Sequence, residues 1–274
     1  MLRSLWTAKT GLDAQQTSLD TISNNLANVS TTAYKRVRPI FEDLLYQNLR
    51  SPGLVEESGG GYLPAGLQAG NGSRISATQR INSAGSLIQS QNPLDMAING
   101  NGFFVVSTGD GIAYTRAGNF MRNDQGQIVT PGGNVVYGEN SSGSTPGPLN
   151  AAGIVIPSNA TAVVIGTDGT VSWYGPNTTL PNVAGHIAIA NFVNPAGLST
   201  GGGGLYYETA SSGTPQIGVA GHDGFGSISQ YYTEQSNVNV AEELVSLIAA
   251  QRAYEITAKS VAASDQILQK LGQL

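Results

Sequence analysis

Leucine recurs every seven residues at positions 5, 12, 19 and 26, and Ala8, Ile22 and Val29 fall three places later on the same step. Gln15 is the one polar interruption. Such spacing predicts a helix with one apolar stripe over about four heptads, the pattern of a helix that lies along another helix. A matching pattern stands at the far end of the chain. Val240, Leu244, Leu247, Tyr254, Ala258, Val261 and Leu268 line one face, with Ile248 and Leu271 beside them, and no Gly or Pro interrupts Val240 to Leu271. Asn239 is placed to cap this helix. Glu242 three residues later completes a capping-box pattern, and Glu242 and Glu243 suit the positive end of the helix dipole. A helix of 32 residues spans about 48 Å, long for an independent globular domain.

The middle of the chain has a different pattern, dense in turn residues, with most of the 36 glycines and 12 prolines. Residues 102–108, GFFVVST, predict a strand, turned by Gly109-Asp110-Gly111 into IAYTR, residues 112–116. Further strands are expected at 119–122, 126–130, 162–166, 170–174, 186–192, 205–208 and 226–232. Two Gly/Ser/Pro-rich stretches, 139–151 and 196–204, read as exposed loops. The expected fold class is α+β: discontinuous terminal α-helices forming a coiled-coil-like domain around a central, mainly antiparallel β domain. The expected segments are an N-terminal helix (1–31), a connector (32–70), a β-rich domain (71–235) and a C-terminal helix (236–274).

Composition removes several functions. Charged residues make up 11% of the chain, against roughly 25% in an average soluble protein. The net charge is −5, and no Lys or Arg lies between Arg122 and Arg252. A phosphate-binding groove needs clustered cations, so nucleic acid is excluded as a partner. With no cysteine and two distant histidines, His186 and His222, neither a thiolate nor a paired-histidine metal site is available. No metal or other cofactor is expected. Arg3, Ser4, Lys9 and Asp13 break any apolar signal region at the start, and no run approaches a membrane span. The expectation is no integral membrane insertion, and either a cytosolic protein or export without signal cleavage.

One catalytic pattern does occur. Gly197-Leu-Ser199-Thr-Gly201 matches a nucleophile elbow, which requires a helix directly after the serine. Gly201 to Gly204 disfavour one, and only Glu208 stands as an acid between Ser199 and His222. The match is read as chance, and neither an enzyme nor any catalytic residue is expected. Asp110, Asp168 and Asp223 each precede Gly and read as turn residues.

Two long apolar stripes suit either an intramolecular hairpin or packing between copies of the chain, and the pattern alone leaves both open. Several blocks then carry a resemblance. SNNLANVSTTAYKR (Ser23 to Arg36) and SNVNVAEELVSLIAAQRAYEITAKS (Ser236 to Ser260) resemble the N- and C-terminal signatures of the bacterial flagellar rod and hook proteins. LDMAINGNGFFVV (Leu94 to Val106), YTRAGNF (Tyr114 to Phe120) and GTDGTVS (Gly166 to Ser172) look like blocks of that family's β-rich region. FEDLLYQNLRSPG (Phe41 to Gly53) and the ending SDQILQKLGQL (Ser264 to Leu274) resemble the distal-rod members more than the hook or proximal-rod members. One departure is Ala33-Tyr34 where the family often has Gly-Phe: a turn needing φ > 0 tolerates Ala poorly. The 139–151 stretch looks like an insertion.

The resemblance implies a structural subunit of a helical tubular drive shaft that transmits torque. It implies export through the flagellar type III apparatus and a place in the periplasm-spanning rod. Implied partners are copies of itself in a helical homo-oligomer, neighbouring rod and hook-end subunits, and the surrounding ring bushings. The residues expected at the subunit interface are Leu5, Leu12, Leu19, Ile22 and Leu26 in the first helix and Val240, Leu244, Leu247, Tyr254, Val261 and Leu268 in the last. Phe41, Leu44 and Tyr46 join them, because with Leu45 they form an apolar cluster in the connector that must be buried somewhere. Asn24, Asn25 and Asn28 suit either a polar seam or simple helix termination. The alternative function is an extracellular β-domain binding module on a helical oligomerisation stalk.

Overall fold

Without an internal helix breaker, the last helix runs as far as its sequence allows. In the computed structural model, α2 spans Val240–Leu271, and the Asn239 side chain caps it by accepting the Ala241 N–H at 3.1 Å. The first helix, α1, spans Leu2–Ala27. It stops at the asparagine-rich stretch, where Asn28 accepts hydrogen bonds from both the backbone and the hydroxyl of Thr31. The structure describes residues 2–50, 66–109, 111–139, 149–150, 153–176 and 180–271. Asp110, most of the 139–151 stretch and part of the 32–70 connector lie outside them. The fold is α+β, and every strand pair among the described residues is antiparallel.

The chain divides into two compact units. One comprises Met1–Ala27, Val37–Arg80 and Asn239–Leu274, so that it holds both helices. Its β part is a ribbon in which Val37–Asp43 pairs with Ser73–Arg80, with an irregularity between Ile40 and Phe41, and Gln47–Arg50 pairs with Leu67–Ala69. The long ladder places residues 73–80 with the helices. The second unit comprises Asn28–Arg36 and Ile81–Val238.

In the second unit, Phe103–Thr108 is the organising strand. It pairs with Gly111–Thr115 on one edge and with Val135–Val136 and Ile189–Asn191 on the other. Successive side chains of a strand point to opposite faces, and both faces here are covered, which is why the run FFVV shows no polar alternation. Phe104 and Val106 enter one apolar cluster with Met96, Ile98, Phe120, Ile128, Ile187 and Ile228. Phe103 and Val105 enter another with Tyr114, Phe192 and Tyr206. Ring pairs meet edge to face in both, Phe104 with Phe120 at 5.0 Å and Tyr114 with Phe192 at 4.8 Å. A second sheet runs Leu149–Asn150, Gly138–Glu139, Asn182–Ile187, Thr170–Tyr174 and Ala162–Ile165 in spatial order.

Turn chemistry follows the sequence at Asp168, whose carboxylate accepts the Thr170 N–H at 3.1 Å and the Thr170 hydroxyl at 2.7 Å. Asp223 sits in a turn at φ +49°. Ala33 does adopt the left-handed conformation, at φ +56°, buried and with its N–H on the Glu234 carbonyl at 2.8 Å. An L-residue with a Cβ there costs roughly 1–2 kcal/mol, partly offset by the lower entropy of its unfolded chain. Ala33→Gly is therefore expected to raise the melting temperature of this unit by about 1–3 °C, and Ala33→Val to lower it. Differential scanning calorimetry checks both, and a lower melting temperature for the glycine variant would contradict the strain.

Candidate assembly surface

The two helices run antiparallel. Asn25 of α1 lies beside Glu243 of α2, a Cβ at Gly11 would stand 3.6 Å from Thr257 Cγ2, and Arg3, Ser4, Thr7 and Ala8 share a groove with Ile256, Thr257 and Ser260. The seam is built largely of small residues. Ala14 on α1 and Ala250 on α2 are buried, with Gly11, Thr257 and Val261 partly covered. Small side chains let the backbones approach closely.

Helix α1 has a second neighbour, because it also packs on the ribbon strands Val37–Asp43 and Ser73–Arg80. A side chain at Gly72, which has φ +103°, would collide with Thr10 on α1. Asn25 joins helix to ribbon directly. Fully buried, it donates through Nδ2 to the Val37 carbonyl at 2.8 Å and to Glu243 Oε2 at 3.4 Å, while its Oδ1 accepts the Val37 N–H at 3.0 Å. Of the two readings for the asparagines, Asn25 takes the seam and Asn28 the termination.

Being covered from two sides, the α1 stripe is largely spent within the chain: Ile22 is buried, and Leu5, Leu12, Leu19 and Leu26 are half-buried. On α2, Leu247 and Val261 are half-buried, whereas Val240, Leu244 and Tyr254 are exposed. The Leu268 side chain lies outside the described residues. The connector cluster is not buried within its unit. Leu44 is half-buried, but Phe41 and Tyr46 are exposed and Leu45 is 89% exposed.

The sequence reading set Ile248 beside its single stripe and missed the second apolar face of α2 to which that residue belongs. Val245, Ile248, Ile256 and Ile267 are all exposed, the first and third at 68%. At about 100° per residue they fall within a sector of roughly 100°, on the side away from Glu243, Leu247, Ala250, Thr257 and Val261. Trp6 on α1 and Ile40, Leu49 and Leu67 on the ribbon add to the exposed apolar side chains of this unit. A helical-wheel search for a second stripe, rather than for the best single one, finds the α2 face from sequence. Ser199 forms no elbow: it opens the strand Ser199–Gly202 after a short 3-10 turn at Pro195–Gly197.

The Asn25 contacts yield a direct test. Asn25→Asp keeps the acceptor for the Val37 N–H, removes the donor to its carbonyl and sets a second carboxylate against Glu243. A like charge raises the pKa of such a pair above the unfolded value, so the lost stability returns as the pH falls through that raised value. The variant is expected to lose about 1–3 kcal/mol at pH 7 and to recover part of it near pH 5 in urea titrations. Equal losses at both pH values would contradict the proximity of the two carboxyl groups.

Comparison with known proteins sets this surface in context. Residues 5–35 match the family described as flagella basal body rod protein, residues 97–173 the flagellar hook protein FlgE/F/G D1 domain, and residues 229–274 the flagellar basal body rod FlgEFG protein C-terminal family. Among curated relatives, a flagellar basal-body rod protein FlgG from Buchnera aphidicola (Acyrthosiphon pisum) is 48% identical over the whole of both chains. The FlgG of Caulobacter vibrioides is 41% identical, covering all of this chain and 99% of the relative. That of Bacillus subtilis is 37% identical at the same coverage. With such identities sustained from end to end, the chain belongs to the flagellar basal-body rod and hook protein family.

Proposed function

We propose that the chain is a structural subunit of the flagellar basal-body rod, of the distal type, which polymerises into a helical tube and carries torque by side-chain packing. The observation that carries this reading is the apolar face of α2 that its own helix partner leaves uncovered, in a chain whose full-length relatives are named rod proteins. Each large apolar side chain buried there contributes roughly 1.5–3 kcal/mol before ordering and association costs. A contact between this face and a different patch on the next copy is heterologous, and such contacts propagate into an open helical filament when the rotation between copies does not close a ring.

In this reading the antiparallel pair of α1 and α2 is the coiled-coil-like rod core. The ribbon, with Phe41, Leu45 and Tyr46 outward, packs between neighbouring subunits, and residues 81–238 make the β domain of the subunit. Twist applied at one end then strains many long parallel contacts slightly. The work is mechanical and calls for no catalytic group or cofactor. Neighbouring rod and hook-end subunits, the ring bushings and the flagellar type III export apparatus complete the proposed set of partners, and the periplasm is the proposed compartment. No described helix is long and apolar enough to cross a membrane.

Ile248 separates assembly from folding because it is 56% exposed on the face away from α1. Ile248→Asp is expected to leave the monomer's melting curve within about 0.5 kcal/mol of the parent and to abolish filament growth in electron micrographs and motility in cells. Normal filaments from this variant would refute the role given to the α2 face.

A further inference from the structure

Three charged side chains lie buried together in the second unit, and no part of the assembly reading uses them. Glu234 is 1% exposed, Lys35 4% and Arg116 6%. The Lys35 ammonium donates to Glu234 Oε1 at 2.5 Å and to the Ser83 carbonyl at 2.8 Å. Arg116 donates through Nε to Glu234 Oε2 at 2.8 Å, and through its terminal nitrogens to the carbonyls of Gly102, Gly100 and Ile98 at 2.5, 2.6 and 3.1 Å. The Gly85 N–H completes the shell of the carboxylate at 2.8 Å. One anion thus pairs with two cations, which leaves a net positive charge, and carbonyl oxygens take further donors of both cations.

The location gives the cluster its meaning. Residues 28–36 follow α1 directly, residues 81–86 follow the ribbon, and residues 234–238 lead into α2. All three segments are stitched at this point. Ala33 N–H donates to the Glu234 carbonyl at 2.8 Å, Ile81 N–H to the Arg36 carbonyl at 2.8 Å, and Gln235 N–H to the Ser86 carbonyl at 2.9 Å. Asn237 accepts the Arg36 N–H at 2.7 Å and donates to the Ile81 carbonyl at 2.9 Å. The two apolar clusters that hold the unit together include one residue of this network, Ile98, which lends it only a backbone carbonyl.

We infer that Lys35, Glu234 and Arg116 form a separable clasp: its closure depends on the Glu234 charge, and its release frees residues 28–36 and 234–238 while the two apolar clusters stay folded. Removing that charge leaves two cations buried with carbonyls alone, and breaking a buried pair in this way is strongly destabilising. The loss falls first on the segments the clasp holds, because its one bond to an apolar-cluster residue is to the backbone carbonyl of Ile98, whose side chain keeps its packing. Lys35 and Arg116 are the charged groups facing Glu234 from the elements around it. Burial pushes the Glu234 carboxyl up, but Arg116 and Lys35 outweigh it and hold the group below the ordinary carboxylate range. A lowered carboxylate contributes stability above its unfolded pKa and loses it as the pH falls through the folded value. The clasp therefore opens in acid. The inference stands apart from the assembly reading, since it concerns the monomer.

Hydrogen exchange on the full chain, dilute and monomeric, tests it in two ways. At pH 7, Glu234→Gln is expected to lower the protection factors of the Ala33 and Asn237 amides at least tenfold, with those of Val105 and Tyr114 unchanged within about twofold. In the parent chain, titration into acid is expected to remove protection at Ala33 and Asn237 at a higher pH than at Val105 and Tyr114. Unchanged protection at Ala33 and Asn237 in the variant, or loss at all four amides together in either experiment, would overturn the clasp.

Discussion

A long helix packed against a single partner buries one side, and α2 carries apolar side chains on two. Glu243, Leu247, Ala250, Thr257 and Val261 turn to α1, while Val245, Ile248, Ile256 and Ile267 turn away. Among the described residues of its unit, none covers the second set. The rest of the account depends on this imbalance: a chain that buries one seam internally and leaves another open has an apolar reason to associate. Were both faces polar, relatives of the same fold would have no apolar reason to stack.

The asymmetry between the helices has a physical source. Helix α1 is held from two directions, by α2 and by the ribbon, and the Asn25 side-chain amide ties it to the Val37 backbone through a pair of hydrogen bonds. The ribbon spends little apolar surface on this task. Ile40, Phe41, Leu45, Tyr46 and Leu49 stay outward, so the element that closes α1 also extends the open surface. Meanwhile the β unit stabilises itself through the two faces of Phe103–Thr108 and needs neither helix for its core.

Much of this was legible in the sequence, for reasons that also mark its limits. The bounds of α2 follow from Asn239 and a run without Gly or Pro, and the 102–108 strand from its apolar, β-branched composition. The resemblance to rod and hook proteins, carried by Ser23 to Arg36 and Ser236 to Ser260, agrees with the family that the comparisons establish. The ribbon strand Ser73–Arg80 escaped, because a strand with no buried position shows no apolar alternation to read. The second α2 face escaped because a single best stripe was sought. Lys35, Arg116 and Glu234 stand far apart in the chain, and no local period links residues that meet only after folding. Ala33 was visible as a departure from glycine, and the structure supplies the left-handed φ that makes the departure matter.

With no native cysteine in the chain, one introduced thiol reports one position. The most direct measurement is the rate at which Ile248→Cys reacts with a maleimide in dilute monomer and in assembled filaments. Burial of the open α2 face between copies predicts fast labelling in the monomer and at least tenfold slower labelling in the filament. Equal rates in both states would contradict the account, since they would show that assembly proceeds with this face still wet.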